Sequence, residues 1–167
     1  MLPTNEDNRR AILLDTDHLS VLQMRTQPDC GRLEAKLAEH PPDEIAVSIV
    51  SFQENVEGWL AWIHRAKKDD QIVAGYQQLA SILRDYCRAR VLMFDAAAQA
   101  RFTTLRKNHR RVQPMDLRIA SIAISNQAML LTRNRRDFAI LNNWLSRIGR
   151  AERIAYRIAN CEILEFP

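Results

Sequence analysis

The sequence predicts an α/β domain: a central, mostly parallel, twisted sheet of four to five strands flanked by helices. Two observations carry this. Short apolar or β-branched runs at Ala11–Leu14, Glu44–Val50, Arg90–Phe94 and Gln127–Leu131 recur with long helical stretches between them, the alternation expected of successive βαβ units. The first run ends abruptly in a carboxylate, Asp15, at a strand's carboxyl end, where open parallel sheets bind ligands. With 167 residues the chain is most simply one domain over 1–167, with its motif-bearing core at about 11–144 and a C-terminal extension at 145–167.

Composition narrows the class further. A hydrophobic content of 47% with 26% charged residues is ordinary for a globular protein and excludes a disordered or fibrous one. The three cysteines, Cys30, Cys87 and Cys161, are widely spaced and form no CxxC pair, which argues against a zinc knuckle or a disulfide framework and fits a reducing cytoplasm. No apolar run approaches the ~18 residues of a membrane span, and MLPTNEDNRR lacks the apolar segment of a signal peptide. A soluble, cytoplasmic protein without membrane contact is the expectation.

Charge is distributed unevenly. Residues 101–150 hold eleven Lys and Arg against two Asp and Glu, while the remainder holds thirteen against eighteen, so the net charge of +4 conceals a local basic excess. Such an excess is the footprint of a polyanion such as nucleic acid. A solvated basic face or a surface for an acidic protein partner gives the same pattern.

In chain order, Ala11–Leu14 is a buried strand. Thr16 or Asp17 can cap a helix through Leu19–Met24, and Pro28-Asp29 punctuates before a second helix at about Cys30–His40. After the break at His40-Pro41-Pro42-Asp43, the β-branched Glu44–Val50 is the second strand. Ser51 can cap the next helix with Glu54 as the partner of a capping box, S-x-x-E. Equally, Glu54 can point from that helix into the crevice beside Asp15. Asn55–Arg88 is helical and broken near Lys67–Asp70 into a helical hairpin, with Trp59, Trp62 and Ile63 on one arm and Ile72, Tyr76, Leu79, Leu83 and Tyr86 on the other, forming core or a dimer surface. Gly75, unfavourable in mid-helix, marks close helix packing. Arg90–Phe94 is a third strand, closed by Asp95 as a cap for the helix Ala96–Lys107. A basic loop, Arg106–Arg111, follows. His109 in that loop has no metal-ligand partner at helical spacing, and neither has His18, His40 or His64. Pro114-Met115-Asp116 opens the helix Leu117–Asn126, where an acid in the first turn suits the helix dipole. Gln127–Leu131 is the fourth strand, leading to Thr132-Arg133-Asn134 and Asp137.

Asp116 and Asp137 are the two acids of the basic stretch, and both sit at predicted strand or helix ends. A site explains that placement better than solubility does. With right-handed connections, Asp15, Glu54, Asp116 and Asp137 converge at the carboxyl edge of the sheet. Clustered carboxylates cannot all ionise at neutral pH unless a hard cation binds, and magnesium or manganese suits oxygen ligands. Two such ions about 3.5–4 Å apart activate a water and stabilise the leaving oxygen of a phosphodiester displacement. Basic residues around the acids, among them Arg110, Arg111, Arg133 and Arg135, would hold the phosphate chain.

The blocks LLDTDHLS, SFQE and MDLRIASIAISNQAMLLTRNRRDF resemble the PIN domain ribonucleases, and closely the VapC toxins of bacterial VapBC toxin–antitoxin pairs. The resemblance covers about Ala11 to Trp144, and the D-L-R-I-A-x-x-A-I block followed by L-L-T-R-N-x-x-D-F is its most specific part. It implies a PIN-like three-layer fold with the helical hairpin as an insertion. It implies that Asp15, Glu54, Asp116 and Asp137 coordinate magnesium and activate the attacking water, with Thr132 and Asn134 supporting the last acid. It further implies hydrolysis of RNA, usually structured RNA such as transfer RNA, by a homodimer held silent by a VapB-like antitoxin.

The chain departs from that pattern in places. Asp17 stands where many relatives have Asn, so it either adds a charge to the metal pocket or caps the helix. Val112-Gln113-Pro114 replaces a common Gly. The extension 145–167 carries a helical RIGRAERIAYRIA segment and an edge-strand candidate, CEILEF.

Two other readings compete. Asp15-Thr16-Asp17 has the D-x-D of a haloacid-dehalogenase-type phosphatase, but Lys107 is the one lysine after Asp70 and Asp137 has no acidic neighbour, so the rest of that machinery is missing. A non-catalytic PIN-like module that binds RNA or a protein is the other.

Overall fold

Ala11, Ile12, Leu13 and Leu14 are each at most 4% exposed, which a strand achieves only when both faces of its sheet are covered. A computed structural model describes residues 11–25 and 27–134. Its elements are β1 (Ile12–Leu14), α1 (Thr16–Met24), α2 (Asp29–Leu37), β2 (Ile45–Ser48), α3 (Ile49–Arg65), α4 (Asp69–Arg88), β3 (Arg90–Leu92), α5 (Ala96–Asn108), α6 (Pro114–Ser125) and β4 (Met129–Leu131), with a 3-10 turn at Pro42–Glu44 before β2. Each crossover between consecutive strands is a pair of helices.

The four strands lie in the order β3-β2-β1-β4, and every pairing is parallel. Leu13 sits opposite both Ala46 and Leu130, and Val47 opposite Val91. Because side chains alternate along a strand, Leu13, Ala46 and Leu130 enter one core with the apolar residues of α5 and α6, among them Leu105, Leu117 and Ile122. Ile12, Leu14, Val47 and Leu131 enter a second core with Leu19, Leu33, Ile82 and Tyr86. The sheet is therefore the middle of three layers, as the resemblance implies. Four strands lie among the described residues; the edge-strand candidate CEILEF and the extension 145–167 lie outside them, as does the end of the motif-bearing core.

Two predicted caps move. The DTD triplet offers three capping side chains, and Asp15 is the one used: it occupies the N-cap of α1, with Thr16 and Asp17 already inside the helix. At the second junction Ile49 and Val50, β-branched or apolar and assigned to the strand, begin α3 instead. Ser48 is the cap, and its hydroxyl accepts from the Ser51 N–H at 2.8 Å. Glu54 thus falls in the second turn of α3, too far along to close a capping box. Asp95 is the expected cap of α5, accepting from the Ala98 N–H at 2.9 Å.

The hairpin forms as α3 and α4, and Gly75 is buried between them. A Cβ there would collide with the Ile63 side chain and press on Trp62. Its apolar residues divide: Tyr86 meets Phe52 edge-on in the core, whereas Tyr76 and Leu83 are exposed. Among the described residues no helix is long and apolar enough to cross a membrane.

Candidate active site at the switch point

The connection from β1 turns to one side, toward β2, while β4 pairs on the other side of β1. This reversal of strand order opens a crevice beyond the carboxyl ends of β1 and β4, and Asp15 and Thr132, the residues immediately after those strands, face each other across it. The Asp15 N–H donates to the Leu131 carbonyl at 3.0 Å. The Thr132 hydroxyl donates to Asp15 Oδ2 at 2.6 Å. The Thr16 N–H donates to Asp15 Oδ1 at 2.7 Å.

Asp15 is 4% exposed. Burial pushes its carboxyl up to about 6, against the opposing pull of the hydrogen bonds from Thr132 and Thr16, and the nearby carboxylates of Asp17 and Glu54 push it further the same way. Two sequence-distant acids join Asp15 through polar neighbours. The Thr16 hydroxyl donates to Glu54 Oε2. Asn134 donates its backbone N–H to Thr132 Oγ1 at 3.1 Å and its side-chain amide to Asp116 Oδ2 at 3.1 Å. Glu54, Thr16, Asp15, Thr132, Asn134 and Asp116 form one continuous polar path along the crevice.

The predicted acids Asp15 and Glu54 thus share a donor, Thr16, and Asp116 is linked to Asp15 through Asn134 and Thr132, while Asp137 and Arg135 lie outside the described residues. Thr132 and Asn134, expected from the resemblance to support the last acid, engage Asp15 and Asp116. Asp17 is exposed in the first turn of α1, where it contributes charge near Asp15. Thr16 is the member of the path that sequence reasoning passed over, because a hydroxyl after a strand looks like a helix cap.

Arg110 and Arg111 are exposed in the turn between α5 and α6, a few residues before Asp116. Arg106 braces that turn by donating to the Arg110 and Val112 carbonyls at 3.3 and 3.1 Å. Arg133 is half-exposed and pairs with Asp29 at 3.8 Å. His18, buried beside Arg133, is pushed down to about 4 by burial and by that positive charge, so it is neutral at neutral pH. His109 is likewise buried and lowered.

Among the described residues, no three Asp, Glu, His or Cys side chains group as they would around one ion. The donor chemistry nevertheless fits a hard cation. The ligands on offer are carboxylate oxygens, and Asp15 is destabilised as an anion by burial and by two neighbouring carboxylates, a cost that a bound cation relieves. Asp15, Glu54 and Asp116 are the described residues that would hold it.

An open parallel α/β sheet with acids gathered at its switch point defines a class of protein whose ligands sit at the strand ends. Within that class the chain belongs to the PIN domain family, whose model matches residues 12–142. This membership removes the dehalogenase-type phosphatase reading of Asp15-Thr16-Asp17. No curated protein matches the chain by sequence. Similar folds occur in solved structures. A VapBC complex from nontypeable Haemophilus influenzae has a TM-score of 0.61 at 22% identity, covering 80% of this chain and 93% of that one. The FitAcB structure from Neisseria gonorrhoeae gives 0.60 at 24% identity, covering 78% and 93%. DNA-bound VapBC from Salmonella typhimurium gives 0.60 at 20% identity, covering 78% and 91%.

Proposed function

We propose that this protein is a divalent-cation-dependent endoribonuclease, using magnesium or manganese to hydrolyse phosphodiester bonds in structured RNA such as transfer RNA. In this reading it is the toxin of a toxin–antitoxin pair, works as a homodimer and is silenced by a VapB-like antitoxin. The single observation that supports the reading most is the bond from Thr132 to Asp15 across the switch point, with Glu54 linked to Asp15 through Thr16 and Asp116 linked to it through Asn134 and Thr132. The similarity of fold to solved toxin–antitoxin complexes agrees with it.

Asp15, Glu54 and Asp116, with Asp137, would hold the cation. When bound, it supplies charge neutralisation at the reacting phosphate and acidifies the attacking water. The rest falls to the side chains. Thr132 holds one oxygen of Asp15 and the Thr16 N–H holds the other, so that carboxylate has a fixed orientation. Asn134 fixes Asp116 in the same way. Arg110, Arg111, Arg133 and Arg135 would neutralise backbone phosphates that the acids repel. Phosphate contacts place a strand without reading its sequence, so RNA choice lies elsewhere.

Inducing the chain in a bacterial host and sequencing RNA ends tests toxicity, cleavage and site choice together. The expected result is growth arrest with new RNA ends that disappear in Asp116→Asn. Growth arrest without new ends, and persisting in Asp116→Asn, would favour the non-catalytic binding module.

A further inference from the structure

We infer that Thr16 is a positioning residue of the crevice, its hydroxyl holding Glu54 in the orientation that lets Glu54 and Asp15 share one cation. The inference rests on the proposed reading of the crevice as a cation-dependent site.

Thr16 is the first residue of α1 and bonds two carboxylates at once, Asp15 through its backbone N–H and Glu54 through its hydroxyl. The two carboxylates reach it differently. Asp15 is buried and held at both oxygens, by Thr16 N–H and by Thr132. Glu54 extends on a longer side chain from the second turn of α3 and is only half-buried. Its terminal torsion is broad and its rotamers are several, so a donor at its tip decides where the oxygens sit. A hydroxyl has one proton to give; donated to one oxygen of Glu54, it leaves the other oxygen's lone pairs for a cation. The backbone bond to Asp15 does not depend on the side chain at position 16 and is kept by Val, Ala and Ser. Side-chain variants therefore isolate the contact with Glu54.

A purely structural role for Thr16 as an early helix residue makes a different forecast. Val keeps the shape of Thr without the hydroxyl, and Ser keeps the hydroxyl without the methyl. The test is calorimetric titration of the purified full chain with manganese ion, together with RNA-cleavage kinetics, for wild type, Thr16→Val, Thr16→Ala, Thr16→Ser and Glu54→Gln. Thr16→Val and Thr16→Ala are expected to bind manganese about 10–100-fold more weakly, the usual effect of losing a group that orients a ligand. They should lower kcat with KM for RNA little changed, and Thr16→Ser should restore most of both. Manganese binding by Thr16→Val and Thr16→Ala equal to wild type, or a loss in Thr16→Ser as deep as in Thr16→Val, overturns the inference. If Glu54→Gln weakens binding and Thr16→Val does not, the cation site stands and the role of Thr16 falls. If wild type itself takes up no manganese, the proposed site and the role of Thr16 fall together.

Discussion

Asp15 and Asp95 start from the same local pattern. Each follows a short apolar strand segment, each is the N-cap of the next helix, and each accepts a hydrogen bond from an amide in that helix's first turn. Their surroundings differ because their strands differ. Among the described residues β3 is an edge strand, and Asp95 beyond it is exposed, its carboxylate bound to the Ala98 N–H at 2.9 Å. β1 is central, with β2 on one side and β4 on the other, so Asp15 is enclosed by Thr132 from the neighbouring strand end and by Glu54 from α3. An acid after a strand is a cap by default. A neighbouring strand end with a donor, and other acids within electrostatic reach, turn it into a site.

The difference is open to several tests. The largest expected effect is on catalysis: Asp15→Asn should lower RNA cleavage by about two to four orders of magnitude, in the range for a group acting directly at the reacting centre. Gel-based cleavage rates in magnesium report it.

Next comes stability, where the two acids should move in opposite directions. Asp15 has its carboxyl raised from 3.8 to about 6, so at neutral pH the folded state carries a destabilised anion. Asp15→Asn should therefore stabilise the metal-free protein at pH 7 by about 1–3 kcal/mol, measured by urea unfolding. Asp95→Ala should destabilise it by about 1 kcal/mol through loss of a helix cap.

The pH dependence sharpens the same contrast. Between pH 4 and 6 the folded state holds a proton on Asp15 that the unfolded chain has released, so this group's contribution makes stability fall as pH rises through that window. In metal-free buffer that part of the slope should vanish in Asp15→Asn and persist in Asp95→Asn.

The smallest expected effect separates binding from chemistry. Arg110→Ala and Arg111→Ala should each reduce the slope of log affinity for RNA against log salt by about one, because each releases about one fewer counterion. An unchanged slope would mean that the basic turn faces solvent or a protein partner.

The sheet was legible because β1 is apolar on both faces, and only a central strand of a covered sheet needs that. Asp116 stands out as one of two acids in the basic stretch, whereas Asp15 and Glu54 each also have an ordinary reading as a helix-capping acid. The exact junctions were not legible. In EIAVSIV the β-branched run continues past the end of the strand, so Ile49 and Val50 look extended although Ser48 has already turned the chain into α3. The same effect gave Glu54 a capping-box alternative to its place in the site, and the true position of the cap at Ser48 removes that alternative. The linking donors were hidden for another reason. Thr16 meets Glu54 only because α3 packs beside α1, and Thr132 meets Asp15 only because β4 pairs with β1.

We propose that position at the switch point, rather than the presence of a carboxylate after a strand, makes Asp15 a catalytic group. Cleavage of transfer RNA by purified wild type, Asp15→Asn and Asp95→Asn, run side by side in magnesium with an EDTA control, tests it most directly. Cutting by wild type and Asp95→Asn at similar rates, abolished by EDTA and lost in Asp15→Asn, is the expected result. Equal cutting by all three, or cutting that EDTA leaves untouched, would contradict it.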